Sequence, residues 1–172
     1  GAGAPAAITL SPTGERRSGI FRALSRVPEN GGVLCIGVDN STGIPSSLSA
    51  RSQSGFDTAA NDLELEVTDL PPSVPGFFVV SPDFNISPMA GGSTGTLCIA
   101  SQTIGRILQS FSVSATSGDV GYLLDNTQIP LPGGAIAVAP GDRLNFQFWH
   151  RDAGALGAPT SNFSSAIAIT FQ

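Results

Sequence analysis

Few side chains in this sequence can move a proton or hold a metal. One histidine, His150, sits in the run Trp149-His150-Arg151-Asp152, and two cysteines stand far apart at Cys35 and Cys98. A lone histidine excludes a His–His metal pair. A Ser–His–Asp triad would have to pass through His150, and no GxSxG nucleophile elbow is present to serve it. A hydrolase is therefore the weakest of the functional readings, with a structural role for Arg151 and Asp152 ahead of it: pinning a loop by hydrogen bonds, with Asn162 in Ser161-Asn162-Phe163-Ser164 as a partner. Asp62, Glu64 and Glu66 alternate along one strand face, with Asp69 just beyond, and such a row could collect calcium, which takes oxygen ligands in flexible geometry. The competing reading is a solvated acidic face. Asp39-Asn40-Ser41-Thr42-Gly43 lacks the spacing and terminal Glu of an EF-hand and reads as an Asx turn. No cofactor is expected beyond that one weak calcium candidate.

Trp149 offers a different chemistry. In the run from Arg143 to Trp149, Leu144, Phe146 and Phe148 share one strand face, while Asn145, Gln147 and Trp149 share the other. An indole beside two amides suits a sugar, with the ring stacking and the amides bonding hydroxyls. The alternative is a Trp149 at a strand end, covered by a loop with its N–H satisfied. Cys35 and Cys98 lie in apolar, strand-like surroundings, Val33-Leu34-Cys35-Ile36 and Thr96-Leu97-Cys98-Ile99. They suit one structural disulfide in an exported protein, against the alternative of two buried free thiols. A bridge would close a loop of about 60 residues and contribute roughly 3–4 kcal/mol, chiefly by restricting the unfolded chain. Without a CxxC pair, no redox or zinc role is expected of these cysteines.

The elements that must carry these groups read as strands. Asp62 to Val67 alternates polar and apolar, and stops at Leu70-Pro71-Pro72. Gly76 to Val80 is a short apolar run suited to a strand buried on both faces. Leu97 to Ala100, Ile104 to Val113, Gly121 to Leu124 and Ala135 to Ala139 follow between turn residues, and Arg143 to Trp149 and Ala166 to Phe171 alternate again. Many short strands with frequent turns predict an all-β sandwich of jelly-roll type. Leu63, Leu65, Val67, Phe77, Val79, Phe146, Phe148, Ile167, Ile169 and Phe171 should dominate its core. Ile20, Phe21, Leu24 and Val27 have helical spacing ahead of Pro28, and a short amphipathic helix competes there with an irregular strand. Residues 1–30 thus form an N-terminal arm, and residues 31–172 the sandwich domain. The Gly/Ala-rich start has little side-chain area with which to dock, so its backbone is expected to pair with a sheet edge, its own or a neighbour's.

Composition narrows the partners. The chain has 172 residues, 8 Lys+Arg (all Arg) against 13 Asp+Glu, a net charge of −5 and only 12% charged residues. This balance argues against nucleic-acid binding, which needs clustered cations to release counterions. No run approaches the length of a spanning helix, and Gly1 to Ala7 has neither the cationic nor the apolar region of a signal peptide. Asn40-Ser41-Thr42, Asn85-Ile86-Ser87 and Asn162-Phe163-Ser164 match the N-glycosylation sequon, a weak three-residue pattern.

One resemblance emerges from Asn40-Ser41-Thr42-Gly43, Gly76-Phe77-Phe78, Gly95-Thr96-Leu97-Cys98, Ile104-Gly105-Arg106 and above all Pro140-Gly141-Asp142…Asn145-Phe146-Gln147…Trp149-His150-Arg151-Asp152…Thr160-Ser161-Asn162-Phe163-Ser164. Over residues 32–172 the chain resembles a carboxyl-terminal module of uncharacterised secreted proteins of environmental bacteria, whose ending reads approximately PGETWNFQxWYRD…TSNFSDxVxxTF. It departs at Leu144, where the family has an aromatic, at His150 for Tyr and at Ser165 for Asp. The resemblance implies export and a β-rich module, and it carries no activity. The leading expectation is a non-catalytic, secreted or cell-surface structural or adhesive protein that forms a homo-oligomer or polymer through its arm. The second is a carbohydrate-binding module working through Trp149, Asn145 and Gln147 on a polysaccharide. Neither nucleic acid nor membrane insertion is expected.

Overall fold

The structure, a computed structural model, describes residues 31–172. The arm, with its expected edge pairing and the helix-or-strand question at residues 18–27, lies outside the described residues. The described strands, in chain order, are β1 (Gly31–Cys35), β2 (Ser47–Arg51), β3 (Glu64–Thr68), β4 (Pro75–Ser81), β5 (Ser87–Pro88), β6 (Thr96–Leu97) and β7 (Gly105–Val113). They continue with β8 (Val120–Leu123), β9 (Ile129–Leu131), β10 (Gly134–Ile136), β11 (Arg143–Ala153), β12 (Pro159–Phe163) and β13 (Ala166–Thr170).

These strands make an all-β sandwich. The larger sheet runs β1-β13-β11-β4-β7 with β12 also on β11; the smaller runs β2-β3-β8; β9-β10 and β5-β6 pair as separate two-stranded sheets. Every pairing is antiparallel. The finer jelly-roll expectation does not follow from this order.

Alternation explains the interface between the two sheets. Leu65 and Val67 of β3, Phe78 and Val80 of β4, Leu144, Phe146 and Phe148 of β11, and Ile167 and Ile169 of β13 form one buried cluster with Leu63 and Phe171. Phe77 and Val79 were expected in that cluster and are not: they face the other side of β4, where Val79, Leu97, Ile99 and Phe163 form a second cluster with Phe77 and Trp149 at its margin. A run that is apolar on both faces carries no phase, so it cannot say which of Phe77 and Phe78 points inward. The second cluster exists because the chain between β4 and β7 folds over the outer face of the larger sheet. Cys35–Cys98 straps it there, joining β1 to the residue after β6 with a Cα–Cα distance of 6.4 Å.

β11 is the spine of the larger sheet. On one side it pairs with β4 from Asn145 to His150. On the other it pairs with β13 over Arg143–Phe146 and then with β12 over Trp149–Ala153. The partner strand has one more residue between Phe163 and Ile167 than β11 has between Phe146 and Trp149, which makes a bulge at Ser164-Ser165. Side chains complete the ladder there: the Phe148 N–H donates to Ser164 Oγ at 3.0 Å, and the Leu48 N–H of the other sheet donates to Ser165 Oγ at 2.8 Å. β11 therefore extends past Trp149, where the alternation read from the sequence stops, through His150, Arg151 and Asp152 to Ala153. Among the described residues, no helix is long and apolar enough to cross a membrane.

Candidate functional site

The residues with chemical potential gather around β11, and most of them are used by the fold itself. Asn145 and Gln147 alternate with apolar neighbours, which on an open sheet would turn them to water. Here the 82–104 segment covers that face. Gln147 is fully buried; its Oε1 accepts from the Cys98 N–H at 2.9 Å, and its Nε2 donates to the carbonyls of Thr96 at 2.9 Å and Ser164 at 2.8 Å. Asn145 is buried too and donates from Nδ2 to the Pro82 carbonyl at 3.1 Å. Neither amide is presented to a ligand, so the expected platform of Trp149 flanked by Asn145 and Gln147 is corrected: the amides satisfy the backbone of the covering segment. Trp149 is half-buried, 5.0 Å from Phe77 between ring centres, with the Arg151 guanidinium 5.3 Å from its own ring centre.

Asp152 and Asn162 hold the loop after β1. Asp152 Oδ1 accepts from the backbone N–H of Ser41 at 3.0 Å and of Ala153 at 2.8 Å. Asn162 Nδ2 donates to the carbonyls of Val38 and Asp39 and to Asp152 Oδ2. Burial acts to raise the Asp152 pKa, but the bonds from Ser41, Ala153 and Asn162 outweigh it and hold the carboxyl below its ordinary value. Gly95 sits so close to the Asn162 side chain and the Phe163 N–H that a Cβ there would collide with both. Arg151 takes no part in this pinning; it is exposed and lies over Trp149.

His150 occupies the inner face of β11, fully buried. Its Nδ1 lies 2.9 Å from the Arg151 carbonyl and its Nε2 lies 3.4 Å from Ser46 Oγ. A serine within reach of the only histidine is the contact a hydrolase would require. Yet Ser46 is 1% exposed, accepts from Asn40 Nδ2 at 3.0 Å and donates to the Asp69 carbonyl at 3.3 Å. The group behind His150 is a backbone carbonyl, not a carboxylate. The pair is a buried polar contact between β11 and the residue just before β2. Burial lowers the His150 pKa below 6.5, against weaker opposing effects of the Arg151 carbonyl and the Asp152 charge. The unfolded chain then binds the proton more readily than the folded one, so stability falls as pH drops below about 6.5. The shifted carboxyls Asp62, Asp125 and Asp152 all lie below 3.8 and act only in stronger acid. The thermal midpoint should therefore decline between about pH 7 and pH 5, and His150→Gln should remove that decline. An identical decline in the variant would assign it elsewhere.

The acidic row is likewise engaged. Asp62 turns away from β3: Oδ1 accepts from Ser52 Oγ at 2.7 Å and Ser54 Oγ at 2.8 Å, and Oδ2 from the N–H groups of Gln53 and Ser54. These bonds, with Ser52 foremost, lower its pKa. Glu66 pairs with Arg51 at 2.7 Å and Glu64 approaches the same guanidinium at 3.9 Å. Asp62, Glu64 and Glu66 are thus split between a loop anchor and a cross-strand ion pair, which corrects their reading as one calcium-collecting row. Of the sequons, Asn40 and Asn162 are buried and spend their amides inside the fold, whereas Asn85 is exposed. The sequence reading missed Phe77 as the partner of Trp149, and Ser46 as the partner of His150. The doubly apolar run at Gly76–Val80 was the only signal for the first, and nothing local signalled the second. Compared with protein-family models, curated proteins and solved structures, the chain gives no match.

Proposed function

We propose that the protein is a non-catalytic structural or adhesive β-sandwich of an extracellular surface, and that it assembles by docking the N-terminal arm, residues 1–30, of one copy on the β1 edge of the next. One observation carries this reading. Among the described residues β1 is an edge strand bonded to β13 alone, and Val33 in it and Ile36 and Val38 just after it are exposed at 58%, 76% and 41%. An apolar sheet edge is what strand addition uses. Ile20, Phe21, Leu24 and Val27 offer the matching apolar surface. Charge supports the pairing: four arginines against two glutamates give residues 1–30 a net +2, leaving −7 on residues 31–172. Cys35–Cys98 ties this edge to the outer cover, as suits a subunit working in an oxidising compartment, and export is also what the bacterial resemblance implies.

Deleting residues 1–27 tests the reading. On size exclusion with light scattering, the full chain should associate and the truncated chain should run as a monomer. Equal association of both forms would remove the arm from the account, and a monomeric full chain would remove assembly altogether.

A further inference from the structure

Residues 82–104, with Asp83 as their one carboxylate, cover part of the outer face of the larger sheet, and the strands of that face have an unusual charge pattern for so acidic a protein. Residues 31–172 hold eleven carboxylates and four arginines, yet the six strands of this sheet contain one carboxylate, Asp152, which is turned inward to Ser41 and Asn162. Strand alternation places Arg143 and Arg151 on the outer face with Trp149, and register places Arg106 there beside Val79. Among the described residues none of these three forms an ion pair; the remaining arginine, Arg51, is occupied by Glu66 on the smaller sheet.

Apolar rings lie between these cations. Phe77 and Trp149 are side by side and half-buried, anchored from below by the second cluster. Val113 pairs with Pro75, so Phe111, two residues before it, shares the face of Phe77; Phe111 and Val113 are 59% and 57% exposed. The track thus crosses β11, β4 and β7 on a rigid sheet, with Arg151 at one end and Arg106 on the flank.

We infer that this face binds an acidic polysaccharide, one whose sugar rings carry carboxylate or sulfate groups. The C–H face of a sugar rests on an aromatic ring, and a guanidinium bonds a carboxylate or sulfate in fork geometry. Rings and guanidinium groups on one face match a chain whose sugars carry both an apolar face and an acidic group. A membrane surface fits less well, because the central rings Phe77 and Trp149 are half-sunk in the face instead of projecting from it. This face lies away from the β1 edge, and the inference does not depend on assembly there.

Trp149 is the sole tryptophan, so its emission reports on this face directly. The test titrates the full chain with polygalacturonate, dextran sulfate, neutral dextran and phosphatidylglycerol vesicles, followed by that emission and by co-sedimentation. Polygalacturonate, dextran sulfate or both should shift the emission, in a salt-sensitive way, and neutral dextran should not; the two acidic polymers separate carboxylate from sulfate recognition. Arg106→Gln with Arg151→Gln should weaken binding roughly tenfold or more. Phe111→Ser, at an exposed position, should weaken it without loss of fold, and Arg51→Gln on the smaller sheet should leave it unchanged. Binding to neither acidic polymer, equal binding to neutral dextran, tighter binding to the vesicles, or an unaffected arginine double variant would each overturn the inference.

Discussion

Cys35→Ser combined with Cys98→Ser is expected to lower the unfolding free energy by roughly 3–4 kcal/mol, because the bridge spans 63 residues of sequence and its loss returns that loop's freedom to the unfolded chain. For a domain of this size the thermal midpoint should fall by roughly 10 °C. The folded state should change as well. The bridge holds the segment over the outer sheet face, which buries Val79, Leu97 and Ile99 and borders Trp149. Loosening that cover should shift the Trp149 emission toward the red before global unfolding begins. Scanning the oxidised and reduced protein by fluorescence and circular dichroism checks both effects. An unchanged midpoint would mean that the sandwich holds its cover without the bridge.

Gln147→Leu should be as damaging, although it replaces a polar residue by an apolar one of similar size. The amide serves the Cys98 N–H and the Ser164 carbonyl in buried bonds and the Thr96 carbonyl in a part-buried one. Leucine removes all three bonds, at about 1–3 kcal/mol for each of the two buried groups, the Cys98 N–H and the Ser164 carbonyl. A total loss of about 3–4 kcal/mol follows if relaxation recovers part of it. Asn145→Ala, which breaks a single bond to Pro82, should cost about 1 kcal/mol. Urea unfolding of the two variants gives the comparison. Equal, small losses would mean that Gln147 faces solvent and is free for a ligand.

These two positions show what the sequence made legible. Strand and face assignments could be read wherever polar and apolar residues alternate: Leu65 and Val67 in β3, Phe146 and Phe148 in β11, and Ile167 and Ile169 in β13 all lie in the main core. The cysteine pairing was legible from two strand-like contexts far apart. What alternation cannot report is whether the polar face meets water. Asn145 and Gln147 look the same in sequence under a covering segment as on an open sheet, and the cover is a matter of how residues 82–104 fold back. The bulge at Ser164-Ser165 was equally hidden, since one extra residue in a partner strand leaves no periodic trace. His150 was visible as the only histidine, but its closure beneath the sheets depends on Ser46, more than a hundred residues earlier. The run from Asn145 to Asp152, with Ser161 to Ser164, is thus a set of fold-determining contacts around the β11 spine.

The central claim concerns the β1 edge, and amide hydrogen exchange of Gly31–Cys35 in the full-length protein tests it most directly. If the arm of a neighbouring copy covers that edge, its amides exchange slowly in concentrated solution and faster on dilution, while those of β4 and β11 in the sheet centre stay slow throughout. Exchange at β1 that is the same at both concentrations, whether fast or slow, would contradict assembly at this edge.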